Sequence, residues 1–99
     1  MQAHYAEAFE REMGCTEADW LAVLPGAVGS RPLVLDVGAA RVLIDGGELH
    51  LTWQVLAPRR IALLQIPRLV VGFRFERVDE ACRQRFMRYF DLFTQRGGG

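Results

Sequence analysis

The 99 residues hold twelve arginines, no lysine and twelve acids, for a formal net charge of zero; 51% of the chain is hydrophobic and 10% aromatic. That length suits one small domain with a single core, and that hydrophobicity excludes a disordered chain. The balanced charge argues against a nucleic-acid binder, and no apolar run approaches the roughly 20 residues of a membrane span.

In chain order, the first expected element is an amphipathic helix over residues 3–13. Tyr5, Phe9 and Met13 recur at a spacing of four, with Glu7, Glu10, Arg11 and Glu12 mostly elsewhere on the wheel. Gly14 marks its stop. Thr16-Glu17-Ala18-Asp19 has the form of a capping box and opens a second helix over residues 17–24, which Pro25 ends. The stretch from Pro25 to Pro32 is the longest irregular link.

From Leu33 to Glu76 the pattern fits a five-strand antiparallel meander. Its clearest period lies in Glu48-Leu49-His50-Leu51-Thr52-Trp53-Gln54-Val55, where polar and apolar residues alternate without a break. Turns are expected at Gly38-Ala39, Gly46-Gly47, Pro58-Arg59 and Pro67-Arg68. They set Val42 against Leu35 and Leu51, Ile44 against Leu49, Trp53 against Leu64, and Ala62 against Phe73. All four keep the apolar residues on one face, which a slip of a single residue would invert. Proline cannot take the positive φ of the favoured hairpin turns, so the alternative is one long strand from Arg60 to Arg77 bent at Pro67.

The last element is a helix over residues 79–95, capped by Asp79, with Cys82, Phe86, Tyr89, Phe90 and Phe93 on one stripe. The expected fold class is therefore α+β: a single domain in which two N-terminal helices and one long C-terminal helix pack on one face of the meander. The tail Gln95-Arg96-Gly97-Gly98-Gly99 resembles the diglycine ends of small sulfur carriers and ubiquitin-like modifiers. The resemblance covers that tail alone, and it implies a terminal carboxylate presented to an activating enzyme. Those families place a strand before the tail and a helix in mid-chain; here a helix precedes it and mid-chain is sheet. Otherwise Gly97–Gly99 reads as a frayed end.

The N-terminus carries acids and an amphipathic pattern where a signal peptide would be basic and then apolar. Cys15 and Cys82 supply no disulfide framework, so a cytoplasmic location is expected. Arginine to the exclusion of lysine, together with the absence of asparagine, fits a GC-rich, bacterial genome. The charge is also polarised, with a net of −5 over residues 1–50 and +5 over residues 51–99. Such polarity serves either self-association or neutralisation of one half by the other within a fold.

No catalytic, metal or cofactor motif stands out. Cys15 precedes a helix N-terminus, where the dipole can lower a thiol pKa, and His4 lies one helix away, so a thiol-dependent enzyme is a lesser alternative. The expected register puts Asp36, Arg41, Thr52 and Gln65 in one row of the outer sheet face, with His50 (opposite Leu43) and Gln54 to either side. That set could hold a small anionic or polar ligand, although cross-strand pairs of these types also stabilise an ordinary wet face. The same face carries Leu43, Leu56, Ile61, Leu63 and Val70, edged by Arg74 opposite Ile61. An apolar patch on a sheet face calls for a cover. The favoured expectation is a non-catalytic interaction module, homodimeric or binding another protein through that face, with no nucleic-acid or membrane partner.

Overall fold

The computed structural model describes residues 4–96. Its elements are β1 (Ala8–Met13), α1 (Glu17–Ala27), β2 (Leu33–Asp36), β3 (Ala39–Ile44), β4 (Gly47–Ile61), β5 (Leu64–Glu76) and α2 (Glu80–Arg96). The strands form one antiparallel five-stranded sheet in the order β1-β5-β4-β3-β2. The α+β class and the five-strand antiparallel sheet hold, but the membership of the sheet and the number of helices do not.

Among the described residues there are two helices and not three, because the expected helix over residues 3–13 gives way to edge strand β1. A spacing of four fits a period of two as well as a helix, since Phe9 and Met13 then share a face. Arg11 lies on that same inward face, and a charged residue at its centre hides the alternation. The meander from 33 to 76 accordingly has four strands, and the fifth comes from the N-terminus.

Turn chemistry moves each register. The faces hold from Leu33 to Val55 and from Leu69 onward, but without a turn at Pro67 the side chains of Leu64 and Ile66 fall on the face opposite to Leu69. In the β3–β4 hairpin the loop is Asp45-Gly46, both at positive φ (43° and 83°), as a type I′ turn requires. Val42 therefore pairs with Leu49, and Ile44 with Gly47. Gly47 stays in the strand because a Cβ there would lie 2.3 Å from the Arg77 carbonyl oxygen. The β2–β3 loop is Val37-Gly38, which sets Leu33 rather than Leu35 opposite Val42.

Neither Pro58 nor Pro67 makes a turn. Both lie inside strands beside a register irregularity between Leu56 and Arg59, and the chain reverses at Ala62-Leu63. Ala62 takes φ 54° there, a value that L-alanine avoids, so the turn carries no turn residue by which to find it. Trp53 pairs with Val71 instead of Leu64, and Phe73 with Leu51 instead of Ala62.

The two helices pack on one face of the sheet. Trp20 of α1 meets Trp53 edge-on at 5.7 Å between ring centroids, and Phe90 of α2 meets Phe73 at 5.6 Å. Thr16 caps α1 by accepting from the Asp19 amide (3.1 Å), and Asp79 caps α2 by accepting from the Cys82 amide (2.8 Å). Helix α1 passes through Pro25 to Ala27 instead of ending before it. Its last turn is held from outside: Gly26 lies against the Phe93 ring, and the Tyr89 hydroxyl donates to the Gly26 carbonyl at 3.3 Å. Among the described residues no helix is long and apolar enough to cross a membrane. The Gly97–Gly99 tail lies outside the described residues, and α2 runs directly up to it.

Candidate functional site

With both helices on the inner face, no element among the described residues covers the other face of the sheet. Register places its residues in rows across the strands. One row runs Asp36, Ala39, Thr52, Gly72, Glu10 through all five strands; the next runs Val34, Arg41, His50, Arg74, Ala8. The first row has small side chains at its centre, and a shallow depression opens on each side of Thr52. That over β1, β5 and β4 measures about 430 Å³ and that over β4, β3 and β2 about 330 Å³; His50, Thr52 and Arg74 border both. Together they form a trough across the sheet, floored by Gly72 on one side and Ala39 on the other, with acids at both ends.

Of the expected polar set, Asp36, Arg41, His50, Thr52 and Gln54 do share this face. The single row of four does not form. Asp36 and Thr52 are joined through Ala39, Arg41 stands one row away with His50, and Gln54 pairs with Val70 one row to the other side. Gln65 is remote, paired with Arg60 near the β4–β5 turn. His50 faces Arg41 and Arg74 and not Leu43, which stands opposite Glu48. The residues missed were Gly72, Ala39 and Glu10. A glycine in mid-strand is a signal of close approach or of a bare floor, but placing Glu10 needs β1 to be recognised as a strand.

The cations beside the trough are already paired. Arg41 reaches Glu48 at 2.9 Å, Arg74 reaches Glu76 at 2.6 Å and Arg77 reaches Glu48 at 3.3 Å. His50 Nε2 lies 2.9 Å from a Glu76 oxygen without making a hydrogen bond to it. A hydrogen bond from Arg41 holds the Glu48 carboxyl below the usual range, and one from Arg74 does the same for Glu76. An anion would have to displace carboxylates held by these contacts, so the ladder has little charge to offer.

The expected apolar patch splits in two. Leu43 lies at the β3 end of the face, whereas Leu56 and Ile61 follow β4 outward, and Arg74 stands opposite His50, far from Ile61. Beyond their neighbours, β4 and β5 continue as a two-stranded arm: β3 pairs with β4 only as far as Thr52, and β1 pairs with β5 only from Leu69 onward. The arm lengthens the molecule, whose principal extents are 46 × 29 × 21 Å. At its end Ile61 and Leu64 are more than half exposed and Leu63, the second turn residue, is fully so. Where it leaves the sheet, Glu12 of β1 braces it through Arg68 at 2.7 Å and Arg59 at 3.5 Å.

These two pairs and Arg11–Asp91 join the acidic and basic halves of the chain inside one fold. Cys15 is buried among core residues, and burial, with Asp19 adding to it, pushes its thiol up instead of down. His4 lies beside Glu80, 3.5 Å away. Cys82, expected in the core, is only half-buried, with Arg85 at 3.1 Å and Asp45 at 3.5 Å. Among the described residues there is no group of three or more His, Cys, Asp or Glu that could hold a metal. The chain matches no model of a known protein family, and comparison with curated protein sequences gives no significant match.

Proposed function

We propose that this chain is a non-catalytic association module whose working surface is the open sheet face together with the β4–β5 arm. The observation that carries this reading is the arm. Two strands with no third neighbour are marginal in water, and they end on three bulky apolar side chains exposed to solvent. Such a segment is a poor way to finish a fold and a good way to meet a partner.

Neither helix supplies an alternative cover, because each is spent on the inner face. The competing reading, a pocket for a small anion around Arg41, is weakened by the internal pairing of Arg41 and Arg74, the two arginines that border the trough. A thiol enzyme using Cys15 is weakened by that residue's burial.

Photo-crosslinking groups placed singly at Gln54 and Leu64, and at Ala22 and Leu92 on the helical side, test the reading in cells of the source organism. Specific adducts from the first pair, to any protein, are expected. Adducts from the helical pair alone, or from neither, would overturn it.

A further inference from the structure

We infer that the partner is a second copy of this chain, with the arm of each copy laid along the open face of the other and its tip seated in the trough beside Thr52. The inference rests on the association reading above and adds the identity of the partner and the geometry of the contact.

Four observations lead to it. The first is charge. Residues 56–68 contain Arg59, Arg60 and Arg68 and no acid. Glu12 at the base of the arm pairs with Arg59 and Arg68 but offsets only one of these charges, and Arg60 makes no ion pair among the described residues. The trough row ends in Glu10 and Asp36, neither of which makes an ion pair among the described residues, and it contains no basic residue. A basic arm is repelled by another basic arm and attracted to this row.

The second is shape. The outer face carries its smallest side chains at Gly72 and Ala39, with the Thr52 hydroxyl beside Gly72, and the arm carries its bulk at Ile61 and Leu64, a cross-strand pair. Large side chains on one surface meet missing side chains on the other.

The third is length. From Thr52 to Ile61 along β4 is about 27 Å at ~3.4 Å per residue, allowing for the irregularity after Leu56. A two-fold axis near Leu56 therefore brings the tip of each arm over the trough of the other, with the two sheets running antiparallel and face to face, an isologous arrangement.

The fourth concerns what the arm does not do. Its edges have no neighbouring strand, yet Pro58 and Pro67 each lack a backbone donor, Pro58 falls within the register irregularity and Pro67 lies on the facing strand beside it. These features discourage pairing of a third strand. They leave side-chain docking as the route to association.

The test uses two variants that leave the core untouched. In one, Ile61→Ser, Leu63→Ser and Leu64→Ser together remove the tip but keep the trough. In the other, Thr52→Arg fills the trough and puts a cation against the arm, but keeps the tip. Size-exclusion chromatography with light scattering should give wild type at twice its 11.2 kDa and each variant alone at the single mass. An equimolar mixture of the two retains one intact tip-in-trough contact and should recover heterodimer, read by native mass spectrometry. Circular dichroism should match wild type for both.

Wild type at the single mass at about 100 μM, where a micromolar dimer would be nearly complete, overturns the inference. So do variants that both stay dimeric, or a mixture that recovers nothing. If wild type is monomeric but the Gln54 and Leu64 probes capture a different protein, the second copy is excluded while the association reading stands.

Discussion

The Arg11 guanidinium of β1 lies 2.6 Å from the Asp91 carboxylate of α2, eighty residues away along the chain. It is the inward-facing charge of an edge strand, stacked at 5.1 Å over the Phe73 ring and 5.4 Å over Phe9. Asp91 also accepts from the buried Tyr5 hydroxyl at 2.5 Å. The first strand is thus fastened to the last helix by one carboxylate.

Removing that carboxylate leaves a partly buried cation and a buried hydroxyl without partners. Asp91→Ala should destabilise the fold by about 2–4 kcal/mol, somewhat less than for a fully buried pair because Arg11 keeps some solvent contact. Urea denaturation followed by tryptophan fluorescence measures it. Arg11→Met and Asp91→Leu combined with Tyr5→Phe should recover much of the loss, since the apolar set leaves neither a charge nor a buried hydroxyl without a partner.

The Tyr5 phenol is pushed up to about 12, chiefly by burial and then by its hydrogen bond to Asp91. The folded state therefore holds the proton more tightly than the unfolded chain, whose tyrosine titrates near 10. Below pH 10 the contribution is complete. Between about pH 10 and 12 the unfolded state loses its proton first, and stability falls by roughly 2–3 kcal/mol across that window. Tyr5→Phe should start lower at pH 7 for want of the hydrogen bond, yet show a flatter alkaline limb. Urea midpoints at pH 9, 10 and 11 distinguish the two; parallel curves would show that Tyr5 is not the titrating group.

Adjacent glycines at the β3–β4 turn should respond differently to alanine. Gly46 has open space where a Cβ would stand but sits at φ 83°, so Gly46→Ala costs about 1–2 kcal/mol of backbone strain. Gly47 has no positive φ, but its Cβ would meet the Glu76 and Arg77 backbone at 2.3–2.6 Å, where β5 ends, and main-chain atoms cannot move aside as the end of a side chain can. Gly47→Ala should therefore be the worse of the two, at about 3 kcal/mol or more, and lower the melting temperature further.

Ala62 stores strain at the tip of the arm. Ala62→Gly should slow amide hydrogen exchange across residues 56–68, and Ala62→Val should speed it, because a β-branched residue tolerates φ 54° still less. Exchange in β4 between Gly47 and Thr52, inside the sheet, should be unchanged in both.

Trp53, Phe73 and Phe75 were assignable to the packed face from alternation alone, because a period of two survives any error of register by two residues. The helix caps Thr16 and Asp79 were equally legible, since capping is a matter of neighbours three residues apart. The uninterrupted run Glu48–Val55 likewise stated which side of the sheet would be polar and which apolar. These are local properties, and the amino-acid sequence by itself determined them.

Pairing partners were not local. Whether residues 8–13 coil or extend depends on β5 offering an edge and on Asp91 arriving to meet Arg11, sixty and eighty residues later. Whether the chain turns at two prolines or at an alanine depends on how far β4 and β5 can zip once Trp53 and Val71 are in place. Tertiary structure decided both, because the free energy of each choice lies in contacts that form only when distant segments meet. Those two decisions also made the candidate site, since the first supplied Glu10 and the row across Gly72, and the second turned an imagined patch into a projecting arm.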